Sequence, residues 1–276
     1  MLRQRILSAA VFLPPLLLML VLGEPWISIV VGLLALLASL EVFRLLRAAG
    51  HPVQMIVGAV SAVIVALLVA SPAVSPSIAL VVAPAVLIAT ALAAFARQDP
   101  REGLTAWALT ATGVIYVAQL GFVARAGQFA TALPATAPLA SWGAERAWIV
   151  ILLAAVWSYD TGAYFAGRRF GRARFLVHIS PSKTYAGVVG GVVAAIVVVG
   201  VVLSAIGQSP LGALVLAPVL AAAAQAGDLA ESMIKRAAGA KDSGTLIPGH
   251  GGILDRVDSF LFAAPVLTAY VLAFAR

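Results

Sequence analysis

Residues 185–206 read YAGVVGGVVAAIVVVGVVLSAI, a stretch without a single charged side chain. A helix needs about 20 mainly apolar residues to cross the roughly 30 Å hydrocarbon core of a bilayer, because it rises about 1.5 Å per residue. The stretch meets both conditions. It therefore predicts a transmembrane helix.

The composition of the whole chain extends this prediction. Hydrophobic residues make up 62% of the 276 residues and charged residues 11%, whereas soluble proteins have about half and about a quarter. We predict an all-α, polytopic integral membrane protein. Its nine expected spans are 6–22, 26–46, 53–70, 78–95, 104–123, 148–163, 185–206, 211–226 and 257–274.

The N-terminal stretch has the basic head and apolar run of a signal peptide, but no clear small-x-small cleavage site follows, so we expect an uncleaved first span. The chain has no cysteine, which excludes disulfides and thiolate metal sites. We expect two regions. Residues 1–147 would hold about five spans, and residues 148–276 about four spans with the cytoplasmic loops 164–184 and 227–256.

The positive charges orient this topology, because short cytoplasmic loops retain Lys and Arg. With a cytoplasmic N-terminus, only Arg125, Arg146 and Arg276 of the 18 basic residues lie outside. One missed or invented span would invert every later loop. The distribution therefore favours nine spans with the N-terminus in the cytoplasm.

Acidic residues concentrate near the end of the chain, where five of the 11 lie between Asp228 and Asp258. Asp228, Glu231 and Lys235 share one helix face, and Asp255 with Asp258 begins the ninth span. Such carboxylates suit Mg²⁺, which also takes water and substrate phosphate as ligands. The alternative interpretations are a solvated helix end and capping of a helix N-terminus.

Between these acids lies KDSGTLIPGHGG, residues 241–252, whose glycines allow close backbone approach to a ligand. The amides of Gly251 and Gly252, before a helix N-terminus, predict a phosphate cradle. His250 is more often a hydrogen-bonding loop residue than a ligand.

Other polar residues near the spans have open or structural interpretations. Asp160 is expected either in a structural ion pair or in a catalytic contact, and Glu41 is expected to pair with Arg44. The PSKT run that contains Lys183 lacks the glycines of a P-loop. Gly187, Gly190 and Gly191 would allow close helix packing.

Residues 232–258, SMIKRAAGAKDSGTLIPGHGGILDRVD, resemble the signature of the phosphatidate cytidylyltransferase family, also called CDP-diacylglycerol synthases. WSYDTGAYFAGRRFGR at 157–172 and SPSKTYAGVVGG at 180–191 are similar to further landmarks of that family. The resemblance covers the C-terminal half specifically. Over the first 150 residues it rests only on several apolar spans.

The resemblance implies that CTP and phosphatidic acid react to give CDP-diacylglycerol and pyrophosphate. The positive charges indicate an active site that faces the cytoplasm, and the Ala- and Arg-rich composition favours a bacterial inner membrane. The resemblance also implies Mg²⁺ and suggests a second cation such as K⁺ and a homodimer, whereas nucleic acid is not an expected partner. As a hypothesis by role, the catalytic residues are Asp228, Asp255, Lys183 and Asp258. Asp228 and Asp255 are the expected Mg²⁺ ligands, and Glu231 and Asp258 are expected as further or more distant ligands. The residues expected to bind substrate are Asp160, Ser182, Lys183, Thr184, Ser232, Lys235, Arg236, Lys241, Asp242, His250, Gly251, Gly252 and Arg256.

Two alternative functions have to be weighed. A CTP-dependent lipid kinase would need the same metal, triphosphate and membrane face. An ion-coupled transporter would also have many spans and carboxylates, but here the ionisable groups lie at the predicted cytoplasmic ends of spans, and no pair of broken helices is evident.

Overall fold

The chain is built from helices joined by short loops. A computed structural model describes residues 14–247, 249 and 251–275. We number the helices of at least 16 residues in this part of the chain α1 to α8. They are α1 Trp26–Ala48, α2 Met55–Ala70, α3 Pro76–Ala94, α4 Pro100–Ala118, α5 Gly143–Phe170, α6 Tyr185–Ala205, α7 Ala213–Ala237 and α8 Leu254–Phe274.

The predicted all-α fold is confirmed, since the described residues contain isolated bridges but no strand. Six helical segments among them are long and apolar enough to cross a membrane: Trp26–Ala48, Pro100–Phe129, Ala140–Phe170, Tyr185–Ala205, Pro210–Ala237 and Leu254–Phe274. Met55–Ala70 and Val81–Ala94 are shorter apolar helices. The protein is an integral membrane protein, as its composition predicted.

The count of nine spans and the cytoplasmic N-terminus stay predictions. The first predicted span, 6–22, lies partly outside the described residues, although 14–22 is helical. Several helices also continue beyond their predicted spans: α5 ends at Phe170 and α7 at Ala237. Hydropathy indicates only where a stretch stops being apolar. Backbone hydrogen bonding can continue a helix through the polar residues that follow.

The chain divides into two compact units. The first unit comprises Met1–Ala124 and Met233–Val257, and the second comprises Arg125–Ser232 and Asp258–Arg276. Helices α7 and α8 therefore each contribute residues to both units. The functional division predicted at residue 147 stays a prediction.

Phe43 of α1 organises the first unit, in which α1, α2 and α4 pack together. Its side chain is fully buried. A Cβ at Gly58 of α2 or at Gly113 of α4 would lie 2.3 Å or 2.7 Å from the Phe43 ring. These two glycines therefore make the space that the ring fills.

Helices α5 and α6 form the tightest pair of the second unit, and glycines make their approach possible. A Cβ at Gly191 would lie 2.6 Å from the Tyr159 ring, and one at Gly162 would lie 2.7 Å from the carbonyl oxygen of Gly190. The close packing through small residues that was predicted for α6 is confirmed. Its opposite face exposes a stripe of valines, as expected of a helix that contacts lipid: Val189, Val193, Val197 and Val201.

Candidate functional site

Three acidic side chains come together in the second unit. Asp228 and Glu231 lie one turn apart on α7, and Asp258 lies near the start of α8. One carboxylate oxygen of each lies within 4.8 Å of the other two. Glu231 is fully buried, whereas Asp228 and Asp258 are half-buried. We call these three residues the acidic cluster, and all three are predicted metal ligands.

Gly227 explains how α7 and α8 approach closely enough to form the acidic cluster. A Cβ at Gly227 would lie 2.4 Å from the carbonyl oxygen of Asp258 and 3.2 Å from Cα of Ser259. Any larger residue would have to push the two backbones apart. The absence of a side chain at Gly227 thus brings Asp228 next to Asp258.

The acidic cluster has the donors and dimensions of a cation site. Three carboxylates so close together repel one another unless protons or a cation neutralise them. Mg²⁺ takes oxygen ligands at about 2.1 Å, so neighbouring ligands lie about 3 Å apart. Oxygen atoms within 4.8 Å of one another are near enough to share one ion once their side chains turn toward it. The residues present fit a divalent metal.

Lys183 places a positive charge at the acidic cluster. Its Nζ forms a salt bridge with Oδ2 of Asp228, and both side chains remain partly exposed. The next residue, Thr184, caps α6 by accepting a hydrogen bond from the Gly187 N–H at 3.1 Å. This cap fixes where α6 begins, and thereby where the loop presents Lys183.

Asp255 has different partners, which all belong to the first unit. Its Oδ1 accepts a hydrogen bond from Lys235 Nζ at 2.7 Å. Its Oδ2 accepts from the backbone N–H of Ser243 at 2.9 Å and of Gly252 at 2.8 Å. Asp255 thus ties the end of α7 to the glycine-rich loop. Its role as a metal ligand stays a prediction.

Glu41 of α1 has partners other than the Arg44 that its spacing predicted. Its side chain is buried, and its two carboxylate oxygens accept hydrogen bonds from the N–H groups of Ile253 at 3.0 Å and Leu254 at 2.8 Å. The Ser243 hydroxyl lies 2.9 Å from the same carboxylate. Glu41 therefore caps the N-terminus of α8 from another helix, whereas Arg44, its expected partner, is exposed. The available signal was an acid within an apolar span.

Gly251 and Gly252 of the loop make contacts within the protein. Gly251 has φ +84°, and its carbonyl accepts a hydrogen bond from the Ile247 N–H at 2.9 Å. A Cβ at Gly252 would lie 2.2 Å from Ser243 Oγ and 2.3 Å from Glu41 Oε2. The Gly252 amide donates to Asp255 in this structure, and the predicted phosphate cradle stays a prediction.

The remaining predicted substrate-binding residues differ in exposure. Ser232 is buried, and its hydroxyl lies 3.4 Å from Asp228 Oδ1. His250 lies outside the described residues. The exposed members of the set are Asp160, Ser182, Arg236, Lys241, Asp242 and Arg256.

Comparisons with known proteins identify the family of the chain. The model of a family described as "Cytidylyltransferase family" matches residues 3–274. The phosphatidate cytidylyltransferase of Brucella suis biovar 1 (strain 1330) is 48% identical over 130 residues, which are 46% of this chain and 48% of that protein. That of Bacillus subtilis (strain 168) is 45% identical over 115 residues, 41% of this chain and 42% of that protein.

The phosphatidate cytidylyltransferase of Haemophilus influenzae (strain ATCC 51907 / DSM 11121 / KW20 / Rd) is 41% identical over 121 residues, 42% of each chain. The matched regions thus cover less than half the length of each of these relatives. The family model, in contrast, covers nearly the whole chain, including the acidic cluster and the glycine-rich loop. The chain belongs to the cytidylyltransferase family.

Proposed function

We propose that the protein is a phosphatidate cytidylyltransferase, which converts CTP and phosphatidic acid to CDP-diacylglycerol and pyrophosphate. The observation that carries this proposal is the acidic cluster with Lys183 beside it, in a membrane protein of the cytidylyltransferase family. Two phosphate-bearing substrates need a site that is rich in metal ligands and cations. Because one of them is a lipid, this site also has to lie next to a membrane helix. The similar proteins named above support the same activity.

The reaction sets clear requirements for the site. A phosphate oxygen of phosphatidic acid attacks the α-phosphorus of CTP, the bond from that phosphorus to the bridging oxygen breaks, and pyrophosphate leaves. The lipid phosphate is already ionised at neutral pH, so the protein need not supply a nucleophile. Its main tasks are to hold two anions together and to neutralise the leaving group.

Asp228, Glu231 and Asp258 would hold a Mg²⁺ ion. When bound, the ion would supply charge neutralisation at the phosphates. Lys183 contacts Asp228 now and, once the metal takes over that carboxylate, would be available to bind phosphate oxygens. The second cation, K⁺, and the metal-binding role of Asp255 belong to the same proposal.

The other predicted substrate contacts are proposed for the residues with suitable donors and acceptors. Basic side chains suit the triphosphate, and the polar and glycine positions suit ribose or phosphate oxygens. The set comprises Asp160, Ser182, Thr184, Ser232, Lys235, Arg236, Lys241, Asp242, His250, Gly251, Gly252 and Arg256.

We further propose nine spans, a cytoplasmic N-terminus, a site that faces the cytoplasm of a bacterial inner membrane, and a homodimer. The chain contains no cysteine, so single cysteines can report the topology. Thr245 is exposed and suits labelling, whereas Ser243 is buried. In intact cells an impermeant thiol reagent should label Ser141→Cys and spare Thr245→Cys. The opposite pattern would overturn the orientation.

The activity itself is tested with purified protein. Pyrophosphate should appear only when CTP, phosphatidic acid and Mg²⁺ are all present, and the lipid product should be CDP-diacylglycerol. ATP, GTP and UTP serve as controls for the base. Release of CDP with a newly phosphorylated lipid would instead identify a lipid kinase.

A further inference from the structure

The second unit contains a cavity of about 360 Å³ between α5, α6 and α7. Its wall is mostly apolar and includes Val188, Val192, Pro218, Ala221 and Leu229. A cavity of this size and character is typical of sites that bind apolar ligands. Phe175 and Tyr185 also line it, with their ring centroids 5.2 Å apart.

One polar pair interrupts the apolar wall. The Tyr159 hydroxyl donates a hydrogen bond to Gln225 Oε1 at 2.8 Å, and both side chains are buried. Gln225 Nε2, in contrast, has no hydrogen-bond partner among the described residues. A buried N–H group without an acceptor is costly. Because Gln225 lines the cavity, a small rotation of its side chain would offer this donor to a ligand.

The position of Gln225 relates the cavity to the acidic cluster. Gln225 precedes Asp228 by three residues on α7, which is a rise of about 4.5 Å along the helix. Lys183, at Asp228, is the cation suited to a phosphate. Gln225 therefore lies at the wall of an apolar cavity, about one helical turn from the residues proposed to bind phosphate.

A diacyl phospholipid has the same order of groups. Its phosphate is joined through glycerol to ester carbonyls, which are hydrogen-bond acceptors, and each carbonyl continues into an apolar chain. Resting on the proposed function, we propose that the cavity receives the ester end of one acyl chain of the lipid substrate, with Gln225 Nε2 donating to the ester carbonyl. Tyr159 would act as a positioning residue, because its hydroxyl donates to Gln225 Oε1 and leaves Nε2 as the group available to a ligand.

The test compares phosphatidic acid with its dialkyl ether analogue, which keeps the phosphate and both chains but lacks the carbonyls. A neutral hydrogen bond contributes enough to change kcat/KM by roughly threefold to tenfold. The wild-type protein should prefer the ester lipid by that factor. Gln225→Leu should lower the ester rate to the ether rate without changing the KM for CTP, and Tyr159→Phe should reduce the preference in part. Gln208→Leu, outside the cavity, should keep the wild-type preference.

Lipid binding without CTP or metal separates this inference from the proposed function. The ester lipid should raise the thermal unfolding temperature of the wild-type protein more than the ether lipid does, and this difference should vanish in Gln225→Leu. Equal effects of both lipids on the wild-type protein would overturn the inference, even if CDP-diacylglycerol is formed. A difference in binding without any CDP-lipid product would support the ester-binding cavity and refute the cytidylyltransferase activity.

Discussion

Replacing Glu41 by alanine should destabilise the first unit, because this single side chain caps a helix that begins more than 200 residues later. Its carboxylate accepts the N–H groups of Ile253 and Leu254, which have no partner within their own helix at its first turn. The negative charge also lies at the positive end of the α8 dipole. Truncation to alanine removes both effects and leaves a cavity.

The magnitude follows from counting the groups that lose a partner. Two buried backbone N–H groups would each lose an acceptor, at about 1–3 kcal/mol apiece. The Ser243 hydroxyl has one hydrogen and can donate it to Asp255 Oδ2, 2.8 Å away, so it adds little. We expect Glu41→Ala to lower the free energy of unfolding by about 3–5 kcal/mol. Glu41→Gln should cost about half as much, because one oxygen remains while the amide NH₂ group faces a donor.

Unfolding in mixed micelles of mild detergent and SDS measures this free energy. Arg44→Ala is the matched control, since Arg44 lies three residues away on α1 and is exposed. It should change the free energy of unfolding by less than about 0.5 kcal/mol. A loss below about 1 kcal/mol for Glu41→Ala, or an equal loss for Arg44→Ala, would refute the capping role. CDP-diacylglycerol formation should fall in Glu41→Ala, because Ser243 and Asp255 belong to the same network.

Three further predictions concern the acidic cluster. Gly227→Ala should abolish activity and weaken Mn²⁺ binding measured by electron paramagnetic resonance, because its Cβ would lie 2.4 Å from the carbonyl oxygen of Asp258. The control Gly200→Ala should be tolerated, because the nearest atoms to its Cβ would lie 3.6 Å away. Asp228→Asn should weaken Mn²⁺ binding by about tenfold to a hundredfold in the same assay. Unchanged affinity would show that Asp228 is not a metal ligand. Lys183→Met should lower kcat by about a hundredfold. It should leave Mn²⁺ affinity equal or higher, since Asp228 loses a competing cation; Lys183→Arg should recover part of the rate.

Much of the fold could be predicted because membrane helices leave a local signal. Backbone polar groups cannot remain unpaired in hydrocarbon, so an apolar stretch of sufficient length has to be helical wherever it packs. The charged motif between Asp228 and Asp258 was equally visible, because few other parts of the chain carry acids. The helix ends were less predictable, since polar turns extend α5 and α7 beyond the hydrophobic stretches.

The grouping of the site residues could not be predicted from spacing. Asp255 and Asp258 are three residues apart on α8, yet Asp255 binds Lys235 whereas Asp258 joins Asp228 and Glu231 in the acidic cluster. The spacing of two residues on one helix predicts whether their side chains share a face. It does not predict which residues of other helices contact them there.

The sequence by itself determined that this is a helical membrane protein of one enzyme family, because hydropathy and a continuous motif are properties of neighbouring residues. Only the tertiary structure decided that Glu41 caps α8, that Gly227 brings Asp228 to Asp258, and that Gln225 lines a cavity. Each of these facts joins residues on different helices. Such contacts depend on how two helix surfaces fit together. The local sequence of one helix describes only one of those two surfaces.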